Sequence, residues 1–335
     1  MQNSAGKTRV AVIFGGQSAE HDVSCRSAAS VFRFLDRGRY EVLPIRISRA
    51  GVWEIGTDTG TGAEFPERPP STGSLIAALG ALRAVDVAFP VMHGPFGEDG
   101  TLQAVLETAG VRYVGSGVLA SATSMDKQFT KTIVAAEGIA VADGVVLRDG
   151  DDDVPPADRE RLGLPVFVKP ARSGSSVGVT RVDDWADLDQ AITAARKHDT
   201  KVLVEAAVIG REVDMAVIQH PDGTIVAGPA LEIRHGAAFF DFDAKYTPGA
   251  AEFVIPADLR PEERELLERT AIRAFEALGC AGLLRVDFFL TGDGVVLNEV
   301  NTLPGMTELS QFPQIWRAAG MPYPELLDLL LRAAR

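Results

Sequence analysis

The sequence predicts an α/β or α+β protein in three pieces, with an N-terminal open and mostly parallel α/β sheet. Three observations carry that expectation. Strand-length apolar runs alternate with helically spaced segments over the first third of the chain. A Gly/Ser-rich loop follows a strand that ends in Lys169. A long hairpin pattern fills residues 283–301. At 335 residues the chain has room for two or three domains with buried cores.

The first run, Arg9 to Phe14, stops at Gly15-Gly16 and reads as a buried parallel strand. Val23, Ala28, Val31 and Leu35 give helical spacing, and Tyr40 to Ile47 is strand-like again. Ala84 to Pro90 and Val111 to Val114 repeat the strand pattern around a helical Thr101–Thr108. Residues 56–73 are rich in Gly, Pro, Ser and Thr and predict an exposed loop. A second piece opens with a helix near Met125, followed by strands at 145–147, 166–169 and 202–205. Its acidic, Pro-bearing stretch 148–158 reads as an exposed connection. The third piece has strands at 213–218, 283–290 and 295–301 and helices at 261–278 and 323–334. The expected pieces are 1–124, 125–209 and 210–335.

Composition narrows the function. Apolar residues make up 46% and charged residues 24%, which argues against wholesale disorder. The formal charge of −13 repels phosphate backbones and anionic lipid, so neither nucleic acid nor a membrane surface is expected as a partner. No apolar run reaches the roughly 20 residues that span a bilayer. Two cysteines, Cys25 and Cys280, support neither a disulfide framework nor a zinc cluster. With no signal-peptide pattern at the N-terminus, a cytoplasmic protein is expected.

Three stretches carry candidate chemistry, and one imitates it. Gly6-Lys7-Thr8 imitates the tail of a phosphate-binding Walker loop, but Met1 stands where its first glycine belongs and a strand follows. In the hairpin 284–301, alternation puts Arg285, Asp287, Glu299 and Asn301 on one face, and Val286, Phe288, Val296 and Val300 on the other. Facing carboxylates repel unless a cation lies between them, and Asp/Glu/Asn oxygens suit a hard ion such as Mg²⁺. The alternative is a solvated face on which Arg285 neutralises Asp287. After Lys169, the loop Pro170 to Gly178 can form a nest of backbone N–H groups for phosphate, or it is a surface hairpin. His93 opens a Gly-rich loop at the carboxyl end of a strand, the edge where open α/β sheets bind ligands. Glu20 lies on the same edge, where a helix-initiating acid is the simpler reading. Of only seven lysines, Lys127, Lys169 and Lys245 lie beside loop or helix-start signals.

Together these segments resemble the D-alanine–D-alanine ligases of the ATP-grasp superfamily. The matching stretches, in family order, are FGGQSAEHDVS (14–24), HGPFGEDGTLQ (93–103), GSGVLASATSMDKQFTK (115–131), VKPARSGSSVGV (168–179), VEAAVIGREV (204–213), DFDAKY (241–246) and RVDFFLTGDGVVLNEVNTLPGMT (285–307). The resemblance implies a three-domain ATP-grasp fold, with ATP between the central and C-terminal domains. It implies two Mg²⁺ ions, for which Mn²⁺ can substitute, on Asp287, Glu299 and Asn301, with Asn298 beside them. Lys127 and Lys169 match phosphate-contacting lysines, and the loop holding Ser173, Ser175 and Ser176 matches a lid over the phosphates. Glu205, Ala207, Val208 and Glu212 match the adenine and ribose contacts. Lys245 matches a lysine reaching the γ-phosphate from a mobile loop.

For substrates, the resemblance implies two D-alanines. Glu20 matches the acid on the first ammonium, with Ser175 and Tyr246 as its hydrogen-bonded partners and His93 nearby. Arg285 and the Gly305 N–H match oxyanion-stabilising groups, and Ser310 matches the second carboxylate's partner. The implied reaction is ATP-dependent ligation through an acyl phosphate, feeding peptidoglycan precursor synthesis; a homodimer is expected from the family. Two departures stand out. Glu308-Leu309 replace residues that are often small and polar in the family, and an inward Glu308 would repel a substrate carboxylate. Ala206-Ala207 stand where relatives often carry a basic residue against adenine. The alternatives are a D-Ala–D-Ser or D-Ala–D-Lac ligase, a related ATP-grasp ligase of a D-amino-acid biosynthetic or self-resistance pathway, and a non-catalytic nucleotide-binding regulator. The Ala244-Lys245-Tyr246 signature favours the dipeptide over the depsipeptide, and no phosphate lysine or metal ligand is lost, as a regulator would require.

Overall fold

A computed structural model describes residues 6–66, 74–235 and 251–334. The first sheet runs β1 (Thr8–Gly15), α1 (His21–Phe34), β2 (Tyr40–Ile47) and β3 (Trp53–Ile55). A ribbon of β4 (Thr57–Asp58) and β5 (Ala63–Glu64) follows, then α2 (Ser74–Leu82), β6 (Val87–Val91) and α3 (Thr101–Ala109). Strand order is β3-β2-β1-β6, with β1 parallel to both neighbours and β3 antiparallel to β2. Strand β1 is buried on both faces, which is why its sequence is a continuous apolar run. Val10, Val12 and Phe14 face one core, while Ala11 and Ile13 face another. The expected strand at 111–114 is not formed; Tyr113 makes a single bridge to Ala88. Ala88 donates to the Arg112 carbonyl and accepts from the Val114 amide, and the pairing goes no further. The expected loop from residue 56 contains the β4–β5 ribbon, and its residues 67–73 lie outside the described residues.

Helices α4 (Val118–Met125) and α5 (Lys127–Ala136) lead into β7 (Gly144–Leu147), α6 (Pro156–Leu162), β8 (Val166–Pro170), β9 (Thr180–Val182), α7 (Leu188–Arg196) and β10 (Val202–Ala206). These strands form an antiparallel sheet in the order β7-β10-β8-β9, with a core of its own built from residues 147–204. Asp126 caps α5 by accepting the amides of Gln128 and Phe129, so the helix starts with Lys127 at its first turn.

The third sheet joins β11 (Arg211–Gln219), β12 (Ile225–Ala227), β13 (Leu231–His235), β14 (Ala251–Val254), β15 (Leu283–Thr291) and β16 (Gly294–Asn301). Its order is β14-β13-β11-β15-β16, with β12 also on β11. Alternation splits β11 between two faces. Val213, Met215 and Val217 pack with Leu267, Ala271 and Phe275 of α8 (Pro261–Ala277) and with Ala120 and Val134 of α4 and α5. Ala216 and Ile218 share a core with Phe312 and Ile315 of α9 (Gln311–Ala318) and with Leu326, Leu327 and Leu330 of α10 (Tyr323–Ala333). That same core contains Val10, Val12, Val31 and Phe32, so the N-terminal sheet and the C-terminal helices bury one surface together.

Candidate functional site

The hairpin β15–β16 places the expected pairs opposite each other: Arg285 faces Asn301 and Asp287 faces Glu299. The route to that register differs from strict alternation. The turn is closed by Thr291 and Gly294, and a bulge follows Asp287, so Phe288 pairs with Leu297. The bulge gives Asn298 to the cleft beside Glu299 and moves Leu297, not Val296, into the core. Across the sheet Asp214 of β11 pairs with Asp287, extending the acidic row to three strands.

That row is held by cations. Arg285 donates to both oxygens of Asp287, at 2.7 and 2.8 Å, and its Nε lies 3.7 Å from Asp214. Burial opposes the Arg285 charge, but the charges of Asp287 and Asp214 outweigh it and raise its pKa. Gln311 at the start of α9 donates to Asp214 at 2.7 Å. Glu299 has Lys127 at 3.4 Å, and the Lys127 ammonium donates to the Ser173 carbonyl at 2.7 Å. Asp287, Glu299 and Asn301 thus share one face, with the Asn301 Nδ2 donating to Asp287 at 3.3 Å, and two carboxylates with a carboxamide are a donor set that fits Mg²⁺ or Mn²⁺ rather than a thiophilic ion. Among the described residues no three His, Cys, Asp or Glu side chains form a metal cluster.

A cleft collects Glu20, Gly94 and Glu98 from the loops after β1 and β6, Lys127 from α5, Gly174 from the loop after β8, and Glu299 and Asn301 from β16. Glu20 is the N-cap residue of α1 but makes no side-chain capping bond. Its carboxylate instead accepts from the Ser175 hydroxyl at 2.5 Å. A Cβ on Gly94 or on Gly174 would fall 2.5 or 2.8 Å from the Glu20 carboxylate, so both loops approach it closely, and Gly94 also has left-handed backbone with φ of 70°. Ser175 and Ser176 adopt left-handed backbone, with φ of 51° and 58°.

His93 lies behind this wall, buried, with Nδ1 on the Leu303 carbonyl at 2.8 Å and Nε2 on Ser27 Oγ at 3.1 Å. A carbonyl only accepts, so Nδ1 carries the proton, and burial lowers the ring's pKa and keeps it neutral. It ties the first sheet to the loop after β16. Gly305 and Ser310 meet on that loop: the Ser310 hydroxyl accepts from the Thr307 amide at 3.1 Å and lies 2.7 Å from its Oγ1. The Glu308 amide donates to the Ser30 hydroxyl at 3.1 Å, and burial, with the Glu308 charge after it, raises the pKa of the Tyr323 phenol.

Lys169 and Glu205 lie deeper, on adjacent strands β8 and β10, and form an ion pair at 2.6 Å. The Ala207 amide donates to the Pro165 carbonyl, and Val208 follows at the strand's partly exposed end. Glu212 faces the same side of β11 as Asp214. Lys245 and Tyr246 lie outside the described residues.

The sequence reading assigned no role to Lys131, Glu98, Asp214 or Thr307. Lys131 ion-pairs Glu205 from α5. Glu98 accepts the amides of Gly94 at 2.8 Å and Leu303 at 3.0 Å. Lys131 and Glu98 stand inside quoted motifs, Lys131 on a helix and Glu98 in a Gly-rich loop, so a charged residue within a motif was the available signal.

A cleft with Lys127 and a Gly/Ser loop on one side and an acidic hairpin on the other, set beside two antiparallel sheets, is the arrangement of an ATP-grasp enzyme. The family described as D-ala D-ala ligase N-terminus matches residues 9–116, and D-ala D-ala ligase C-terminus matches 133–332. A D-alanine–D-alanine ligase of Nocardia farcinica is 51% identical over 98% of this chain and 97% of its own. Two solved structures are similar: the VanG D-Ala:D-Ser ligase of Enterococcus faecalis (35% identity, TM-score 0.81, 97% of this chain and 98% of that one) and the D-alanine–D-alanine ligase of Bacillus anthracis complexed with ATP (29%, 0.79, 97% of each). The chain belongs to the D-alanine–D-alanine ligase family, and it is a ligase that forms carbon–nitrogen bonds.

Proposed function

We propose that this protein joins two D-alanines into D-alanyl-D-alanine at the expense of ATP, in the cytoplasm, for peptidoglycan precursors. The observation that carries the reading is the convergence of Glu20, Lys127, Glu299 and Asn301 on one cleft, closed by the Glu20–Ser175 bond. The domain plan 1–124, 125–209 and 210–335 is part of the proposal, supported by the separate core of the central sheet.

The chemistry asks for charge neutralisation and for two small substrates held in register. A carboxylate oxygen of the first D-alanine attacks the γ-phosphorus, forming the acyl phosphate as the bond to ADP breaks. The deprotonated amine of the second then attacks the carbonyl carbon, and phosphate leaves. Lys127 and Lys169 face the phosphates, with Ser176 and the loop's amides above them. Glu205, Ala207, Val208 and Glu212 hold adenosine. Glu20 takes the first ammonium, and the Ser175 hydroxyl fixes the carboxylate that receives it. Arg285 and the Gly305 amide steady the oxyanion; Arg285 is held by two carboxylates, so its guanidinium cannot turn away. Ser310, oriented by Thr307, takes the second carboxylate. Asp287, Glu299 and Asn301 would hold Mg²⁺, which supplies charge neutralisation on the phosphoryl oxygens.

The test is phosphate release by the purified protein with ATP and Mg²⁺, with products identified by mass. D-alanine alone, D-alanine with D-serine, and D-alanine with D-lactate are the three arms. D-alanyl-D-alanine from D-alanine alone is expected, and turnover only in a mixed pair would replace the proposed second substrate.

A further inference from the structure

Glu205 is one carboxylate between two ammoniums. Lys131 of α5 ion-pairs its Oε1, and Lys169 at the end of β8 holds Oε2 at 2.6 Å. All three side chains are buried, with residue exposures of 7% for each lysine and 4% for the glutamate. The group therefore carries a surplus positive charge away from water. One lysine would have sufficed to neutralise Glu205, and an unbalanced buried charge is costly. The strain is visible in Lys131. Burial, and after it repulsion from Lys169, pull its pKa down to about 8 against the attraction of Glu205. One turn earlier on the same helix, Lys127 reaches into the cleft between Ser173 and Glu299. A surplus of cations beside a cleft is balanced when a polyanion enters it.

We propose that Lys131 is a positioning residue for the nucleotide: it is the standing counter-charge of Glu205, and it frees Lys169 to pair with a phosphate group. The inference rests on the reading that Lys169 faces the triphosphate. Without Lys131, Lys169 would have to abandon a buried carboxylate in order to reach phosphate. The cost of stripping that carboxylate would appear as lost affinity for phosphate-bearing nucleotides, not as lost fold stability. With Lys131 in place, the carboxylate keeps a partner throughout.

The test compares Lys131→Met with Lys131→Arg in the full-length protein. Three quantities are read: the melting temperature without ligand, the affinity for ADP with Mg²⁺ by calorimetry, and the inhibition constant of adenosine against ATP. For Lys131→Met we expect a melting temperature at or above wild type, because a neutral Glu205–Lys169 pair remains. We expect ADP affinity to fall at least tenfold while adenosine, which has no phosphate, binds within threefold of wild type. Lys131→Arg, which keeps the charge, is expected to restore ADP affinity. ADP affinity within twofold of wild type in Lys131→Met overturns the proposal. Equal losses for adenosine and ADP, or a Lys131→Arg variant that folds and binds ADP as weakly as Lys131→Met, also overturn it by assigning the residue to shape. If Lys131→Met does not fold, Lys131→Gln is read against the same outcomes. A wild-type protein that binds adenosine but not ADP would instead overturn the reading of the phosphate site, a separate failure.

Discussion

Glu98 shows how burial changes what a carboxyl does at this site. Burial foremost, and then the charge of Glu20, push its pKa up to about 7, against the amides of Gly94 and Leu303 that favour its charged form. The folded-state value lies above the ordinary 4.5, so the native protein holds this proton more tightly than the unfolded chain does. That contribution to stability is complete below about pH 4.5 and is lost as pH rises through about 7. Wild-type stability should therefore decline between pH 5 and pH 8, and Glu98→Gln should flatten the decline. Urea midpoints at several pH values check this; parallel curves for the two proteins would remove the assignment. Legibility at this scale was uneven. Asp287, Glu299 and Asn301 were legible because alternation along a hairpin is local. Glu98 was not, because its partners lie four residues away on one side and 205 residues away on the other.

The loop between β8 and β9 and the hairpin β15–β16 are the elements on which the proposed chemistry depends. Ser175 and Ser176 occupy left-handed backbone, which costs a non-glycine residue roughly 1–2 kcal/mol. The loop is held there by the bond from Ser175 to Glu20 and by the Ser173 carbonyl on Lys127. Ser175→Ala keeps a side chain of equal backbone strain and removes only the hydroxyl. It should raise KM for the first D-alanine about tenfold or more while KM for ATP stays within threefold, as read by initial-rate kinetics; unchanged KM values would disconnect the loop from Glu20. The hairpin's polar face was legible from the sequence, although its bulge was not. A bulge inserts one residue into an otherwise regular alternation, and here it compensates for the position of the turn. Helix α9 carried a readable signal in Ser310, Phe312, Ile315 and Trp316, yet its neighbour α10 was the one with the longer apolar pattern.

Over the whole molecule, the first sheet and the C-terminal helices are one packing unit. Val31 and Phe32 of α1 share a core with Leu326, Leu327 and Leu330 of α10, and the Tyr40 hydroxyl donates to Asp328 at 2.6 Å. Leu326→Ala should therefore destabilise the protein by about 2–5 kcal/mol, with the N-terminal sheet and the C-terminal helices unfolding together. Urea unfolding followed by fluorescence and circular dichroism tests this; a separate early transition of the C-terminal helices would contradict it. The −13 charge belongs to this scale as well: a net acidic protein that binds a polyphosphate must gather its cations locally, and Lys127, Lys131 and Lys169 do so around Glu205 and Glu299.

What the sequence determined by itself were the strand and helix periods, the hairpin face, the lysine before the Gly/Ser loop and the family motifs. All of these are set by side-chain identity at short separations. Tertiary structure alone decided that Glu20 meets Ser175 across 155 residues, that Lys131 and Lys169 share Glu205, and that His93 bonds to the Leu303 carbonyl. Those pairings depend on which surfaces are buried against one another, and burial is what turns an ordinary carboxylate or ammonium into a group that must find a partner.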